Sequence, residues 1–320
     1  MKRVLVVEDA FPGAYATAAS LLARLSPEHE ELQRSRRLIA LEGEKMRCED
    51  GEQGVRIGEE LEDLEGELWA LYSPPGSEYG EGVVTFADEN IFIRTVGNFA
   101  NAMREVTRGE YDGVISDIGI PPGSEEPFSL EEVIGETIVD TQRLQPFYDA
   151  IGQEGCELLP EYLGRAIYGD NNRNAEFLAY ARELPPTDAF VQQMNEQMKY
   201  HGPFGVLVAL AATKRHIPVV SSTGEPWHAK QGIILGSALG VYDSEAVMQN
   251  LRENYVFADD GSHTLYDKLV CPIIRRDVVL CEDPVPLVTS YKELPSSEEG
   301  LLSTGGPAKA VTLLLERMKR

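Results

Sequence analysis

Four short apolar runs, each tied to a stretch of helical periodicity, constrain the fold of this chain more than any other feature. They are "RVLVV" at 3–7, "NIFIRTV" at 90–96, "YDGVISD" at 111–117 and "IPVVSST" at 217–223. Each is rich in β-branched residues, and the first is apolar throughout, as in a strand buried on both faces. Between them lie "AYATAASLLARL", "NFANAMREVTRG" and "GPFGVLVALAATKRH", which read as helices. In the second of these Asn98 is placed as N-cap and Gly109 as C-terminal stop, with Phe99, Ala102, Met103 and Val106 on one face. Near the end, "RRDVVLC" and "PLVTSY" read as extended, "KQGIILGSAL" and "SEAVMQNLREN" as helical, and "GPAKAVTLLLERMK" as a closing helix. Strand and helix in alternation predict an α/β domain: one parallel sheet with helices on both sides.

Two segments interrupt the alternation. Within residues 26–90, Leu32, Ile39 and Met46 recur every seventh residue, and Ile57, Leu61, Leu64 and Leu68 recur at spacings of four, three and four. This predicts a helical hairpin, charged outside, whose first helix is capped by Ser26-Pro27. Residues 124–201 contain a Ser129/Glu132 capping box and helical stretches broken at Pro146, Pro160 and Pro185-Pro186, and they read as an inserted helical subdomain. All 320 residues are thus expected to form a single elaborated domain with no separate output domain.

Charge narrows the partners. With 53 acidic and 29 basic residues, the net charge of −24 disfavours nucleic acid and anionic membrane and suits cations or basic protein surfaces. Cys48, Cys156, Cys271 and Cys281 form no paired zinc motif and fit reduced thiols. The opening "MKRVLVVEDAF" is too acidic for a signal peptide, and no apolar run approaches the roughly 20 residues that span a bilayer, so a cytoplasmic location is expected.

In a parallel sheet of this kind, reactive groups gather outside the carboxyl ends of the strands. The first strand ends in Glu8-Asp9, the third in Asp117, and the fourth in Ser221-Ser222-Thr223. Crowded carboxylates repel one another, and a hard divalent cation such as Mg²⁺ relieves that repulsion through oxygen ligands.

Taken together, "VLVVED", "FIRTVGNFANAMREVTRGEYDGVISD", "YDGVISDIGIPPG" and "IPVVSSTG" resemble the strands and second helix of a response-regulator receiver domain. The likeness covers some 110 to 130 residues and none of the insertions. It implies a doubly wound, five-stranded parallel sheet of order 2-1-3-4-5. It also implies Asp117 as phosphoryl acceptor, Glu8, Asp9, Asp117 and the Gly119 carbonyl around Mg²⁺, and Thr223 as the hydroxyl that follows the phosphoryl group. Pro121 matches a proline that shapes the loop after the acceptor. The implied partners are a histidine kinase or phosphotransfer protein and a protein effector.

The lysine that receivers carry at the end of the fifth strand has three candidates here, Lys292, Lys309 and Lys268, and the glycine expected soon after the acceptor loop comes only at Gly205. Two other readings stand beside the receiver. One is a degenerate receiver serving as a non-catalytic scaffold. The other is a phosphohydrolase resembling the haloacid dehalogenases, built on "VISDIGI", "VVSSTG" and "FADDG", although Gly119 stands where that family has its second aspartate. Trp227 and His228, in "GEPWH", read as an anchor and a surface histidine.

Overall fold

The computed structural model describes residues 1–45, 52–72, 83–123, 141–144, 203–224, 232–233, 235–247, 249, 278–279, 282–289, 301–302 and 305–320. Among the described residues seven strands form one sheet: β1 (Lys2–Val7), β2 (Val83–Ala87), β3 (Ile91–Val96), β4 (Gly113–Asp117), β5 (Val219–Thr223), β6 (Val278–Val279) and β7 (Leu287–Thr289). The helices are α1 (Phe11–Leu25), α2 (Glu30–Lys45), α3 (Glu52–Tyr72), α4 (Phe99–Arg108), α5 (Phe204–Lys214) and α6 (Gly305–Arg317).

The sheet runs β2-β3-β1-β4-β5-β7-β6, which corrects the expected five-stranded order 2-1-3-4-5. Strands β3, β1, β4, β5 and β7 are parallel. Strands β2 and β6 pair antiparallel with β3 and β7 and form the two edges. The additions have a simple cause. Asp88 accepts from the N–H groups of Asn90 and Ile91, closing a tight turn that folds β2 back onto β3. β6 is only two residues long and lies against β7.

Alternation along the strands sends side chains into two cores. Val4, Val6, Ile91, Ile93, Ile115, Val220 and Val288 face α1, α3 and α6. Leu5, Val7, Val96, Val114, Val219 and Leu287 face α4 and α5, together with the helical residues 235–238 and 244–247. The sheet is therefore covered on both faces, as an α/β domain requires.

The helices obey their sequence signals where those signals are local. The Asn98 side chain accepts from the Asn101 N–H at 2.8 Å, and Gly109 closes α4 in the left-handed region at φ 68°. Ser26 behaves differently from the expected N-cap. It ends α1, its hydroxyl donates to Asp88, and α2 begins only at Glu30. In α2 and α3, Leu32, Ile39, Ile57, Leu61 and Leu68 are buried as their spacing predicts, and Arg37 bridges to Glu60 across the pair. Met46 lies outside the described residues, as does nearly all of 124–201 with its expected caps and breaks. Within that segment Thr141–Leu144 forms a short 3₁₀ turn.

Candidate functional site

The parallel register dictates what meets at the carboxyl edge. Val7 pairs with Ser116, and Asp117 pairs with Ser222. One step beyond Val7, Glu8 comes level with Asp117. Glu8 follows Val6 and Asp117 follows Ile115 at the two-residue repeat, so both carboxylates project to the face carrying α1 and α6.

Glu8, Asp9 and Asp117 each offer a carboxylate oxygen, and these oxygens all lie within 4.8 Å of one another. Glu8 and Asp117 are each only 6% exposed, and Asp9 is half-buried. A Mg²⁺ octahedron with bonds of about 2.1 Å separates its ligand oxygens by about 3.0 to 4.2 Å. The three carboxylates thus match a small, hard, oxygen-seeking dication with adjustments of tenths of an ångström. An all-oxygen donor set disfavours the softer metals that seek sulfur or imidazole.

The loop that follows β4 is built around Asp117. Its Oδ1 accepts from the Ile118 N–H at 2.7 Å, and the Ile118 N–H also donates to the Ser222 carbonyl at 3.0 Å. Ser116 Oγ donates to the Asp117 carbonyl at 3.0 Å. Beyond the strand, Gly119 sits buried in the bend. The carbonyls of Pro121 and Pro122 accept from the N–H groups of Phe99 and Ala100, so the proline loop satisfies the open N-terminus of α4.

Gly205 is the residue whose importance is hardest to see in sequence. Its N–H donates to the Ile118 carbonyl at 2.9 Å, and a Cβ there would stand 1.5 Å from the Asp117 carbonyl oxygen. Gly205 thus presses directly on the Asp117 backbone. In sequence it shows only as the glycine that the receiver resemblance expects, displaced beyond residues 124–201 to the start of an apolar helix.

Thr223 is buried at the tip of β5, one residue past the register partner of Asp117. Its neighbour on β7 is Thr289, also buried, so the fifth parallel strand has a threonine rather than a lysine at its described end. Lys292, Lys268, Trp227, His228 and "FADDG" lie outside the described residues. Lys309 lies in the first half of α6 and is half-buried. A Cβ on Gly113, at the start of β4, would touch Leu314 and Met318, so α6 runs antiparallel to β4 with its beginning toward the carboxyl edge. Lys309 is therefore offered from the face on which Glu8 and Asp117 project.

No family model, curated protein or solved structure matches this chain. Among the described residues, no helix is long and apolar enough to cross a membrane.

Proposed function

We propose that this protein is a Mg²⁺-dependent phosphoryl-accepting signalling module with Asp117 as the acceptor. The observation that carries the reading is the convergence of Glu8, Asp9 and Asp117 oxygens within 4.8 Å at the tips of adjacent parallel strands. Further support comes from the strand order. The acids stand at the ends of β1 and β4, which lie side by side in the parallel middle of the sheet. The position of Gly205 against the acceptor backbone also favours the reading.

Glu8, Asp9 and Asp117 would hold the ion, with the Gly119 carbonyl nearby in the bend. Mg²⁺ supplies charge neutralisation for the phosphoryl oxygens. With Oδ1 of Asp117 engaged by the Ile118 N–H, the other carboxylate oxygen attacks phosphorus. The donor's bond to phosphorus, P–N in a phosphohistidine or P–O in an acyl phosphate, breaks as the Asp117 O–P bond forms, and the donor leaves with the electron pair: a neutral imidazole once its ring nitrogen is protonated, or a carboxylate. Thr223, at the tip of the neighbouring strand, would be the hydroxyl that responds, and Lys309 on α6 would be the lysine that balances the added charge. The modified surface would then be read by a protein effector, with a histidine kinase or phosphotransfer protein upstream.

Incubation with Mg²⁺ and acetyl phosphate tests this. The expected result is a labile, stoichiometric phosphoryl adduct on the wild type and none on Asp117→Asn. Sustained phosphomonoester hydrolysis would move the protein to the hydrolase class. Absence of both adduct and Mg²⁺ binding would leave a scaffold.

A further inference from the structure

We infer that a cavity at the amino edge of the sheet, opposite the acid cluster, is a binding site for a small organic monocarboxylate. The cavity measures about 310 Å³ and lies between the ends of α5 and α6 and the start of β5. That volume suits a ring or a branched chain with one charged head. Val219 opens β5 beside the cavity and Thr223 ends it near Asp117, so about 13 Å of strand separates the two places. The cavity stands whether or not Asp117 accepts a phosphoryl group.

His216 points to a use for this cavity. Helix α5 ends in a Schellman turn: the Ile217 N–H donates to the Ala212 carbonyl at 3.0 Å, and the His216 N–H donates to the Thr213 carbonyl at 3.0 Å. The turn holds His216 in the left-handed region at φ 57°. Glycine is the usual occupant of that position because it has no Cβ to clash, and Gly109 fills it at the end of α4. Every other positive-φ position among the described residues is a glycine. A histidine kept where glycine would suit the backbone better implies a task for its side chain. His216 is exposed and lines the cavity, and among the described residues its imidazole makes no hydrogen bond or ion pair.

The rest of the lining fixes the ligand class. Ile217 and Val219 are buried and Pro218 is half-buried, and together they give the cavity an apolar wall. Arg317 is committed to the fold: its guanidinium donates to the Glu282 and Pro284 carbonyls and to Asp283 Oδ1 at 3.1 Å. Arg320 is exposed on the same rim, and among the described residues its guanidinium has no partner. With His216 neutral, Arg317 and Arg320 against Asp283 leave one net positive side-chain charge around the cavity. The carboxyl ends of α5 and α6 add partial negative charge there, which disfavours a dianion. One guanidinium fork and one imidazole donor match a single carboxylate, and the apolar wall takes its hydrocarbon body.

Titration of the full chain with benzoate and with isovalerate, followed by amide chemical shifts, tests the site. Phenyl phosphate and benzyl alcohol serve as the dianionic and neutral comparisons. Both carboxylates should shift the amides of Thr213, His216 and Ile217 selectively, and benzoate should bind roughly tenfold or more tighter than either comparison, as a hydrogen bond to a charged group implies. Arg320→Gln should weaken benzoate roughly tenfold. His216→Gly should weaken it similarly, yet unfold at no lower denaturant concentration than the wild type, because it relieves the left-handed backbone. Arg320→Gln, at an exposed position, keeps the test decisive should His216→Gly fold poorly. Asp117→Asn should bind benzoate as the wild type does, so loss of the acceptor reading would leave this site in place. Benzoate and isovalerate that shift no residue of the cavity, or that bind wild type, His216→Gly and Arg320→Gln equally, would overturn the site. Phenyl phosphate bound more tightly than benzoate would overturn the choice of a monocarboxylate.

Discussion

Gly205→Ala is the substitution that most sharply links fold to site. The added Cβ would lie 1.5 Å from the Asp117 carbonyl oxygen and 2.6 Å from its carbon, where ordinary contact begins at 3.4 Å. Both are backbone atoms, so no side chain can swing aside. Helix α5 must retreat from β4 by almost 2 Å, which breaks the bond from the Gly205 N–H to the Ile118 carbonyl. That bond contributes about 1 kcal/mol. Forcing a tightly packed element apart costs about 1–3 kcal/mol more, and Phe204 and Phe99, both fully buried with ring centroids 5.3 Å apart, would be pulled from their contact. Alanine returns at most about 1 kcal/mol through helix propensity. The net expectation is a loss of about 2 kcal/mol in denaturant melts, with Mg²⁺ affinity reduced as the Asp117 backbone moves. Gly66→Ala on α3 is the control: its Cβ meets nothing within 4 Å, and it should stabilise by about 0.5–1 kcal/mol. Equal midpoints for Gly205→Ala and wild type would refute the close approach and the reasoning built on it.

Three other outcomes follow from named contacts. Mg²⁺ at a hundred times its dissociation constant should stabilise the wild type by about 2.7 kcal/mol, read as a thermal shift that a chelator reverses and that Asp117→Asn loses. Glu105 is buried in α4, where its carboxylate accepts from Arg108 at 2.8 Å and from the Tyr111 hydroxyl at 2.5 Å and pairs with Arg94 at 3.3 Å. Glu105→Gln should cost about 1–3 kcal/mol in the same melts, since it weakens hydrogen bonds to a charged group. The Ser26 hydroxyl, followed by the N–H groups of Asn90 and Ile91, holds the Asp88 carboxyl below its usual range. Its folded-state value lies below the unfolded one, so its stabilisation is complete above the unfolded value of about 4 and is lost as pH falls through the folded value. Asp88→Asn should flatten the acid limb of the stability profile there, and an unchanged limb would remove this contribution.

The parallel strands and most of the helices were legible because their signals are local. "RVLVV" and "IPVVSST" are apolar enough to demand burial on both faces, and the Asn98 and Gly109 caps announce α4 at both ends. The edge strand β2 was not legible, whereas β6 falls in the extended reading of "RRDVVLC". "VVTFA" has only Val84 and Phe86 buried and becomes a strand through its pairing with β3. Ser26 misled because Ser-Pro is a sound local N-cap signal, while its hydroxyl is claimed by Asp88, distant in sequence. The three acids were legible as strand tips, since a strand that ends in a carboxylate at the carboxyl edge can meet its neighbours only there. The contact of Gly205 with the Asp117 carbonyl was not, because one helix touching one backbone carbonyl leaves no periodic trace.

The central claim is that three carboxylates from two adjacent strand tips hold one divalent ion. A crystal grown with Mn²⁺ in place of Mg²⁺ and measured at the manganese absorption edge tests it directly. The account predicts a single anomalous peak within bonding distance of Glu8, Asp9 and Asp117. Full manganese exposure with no peak there, or with the ion seated on other side chains, would contradict it.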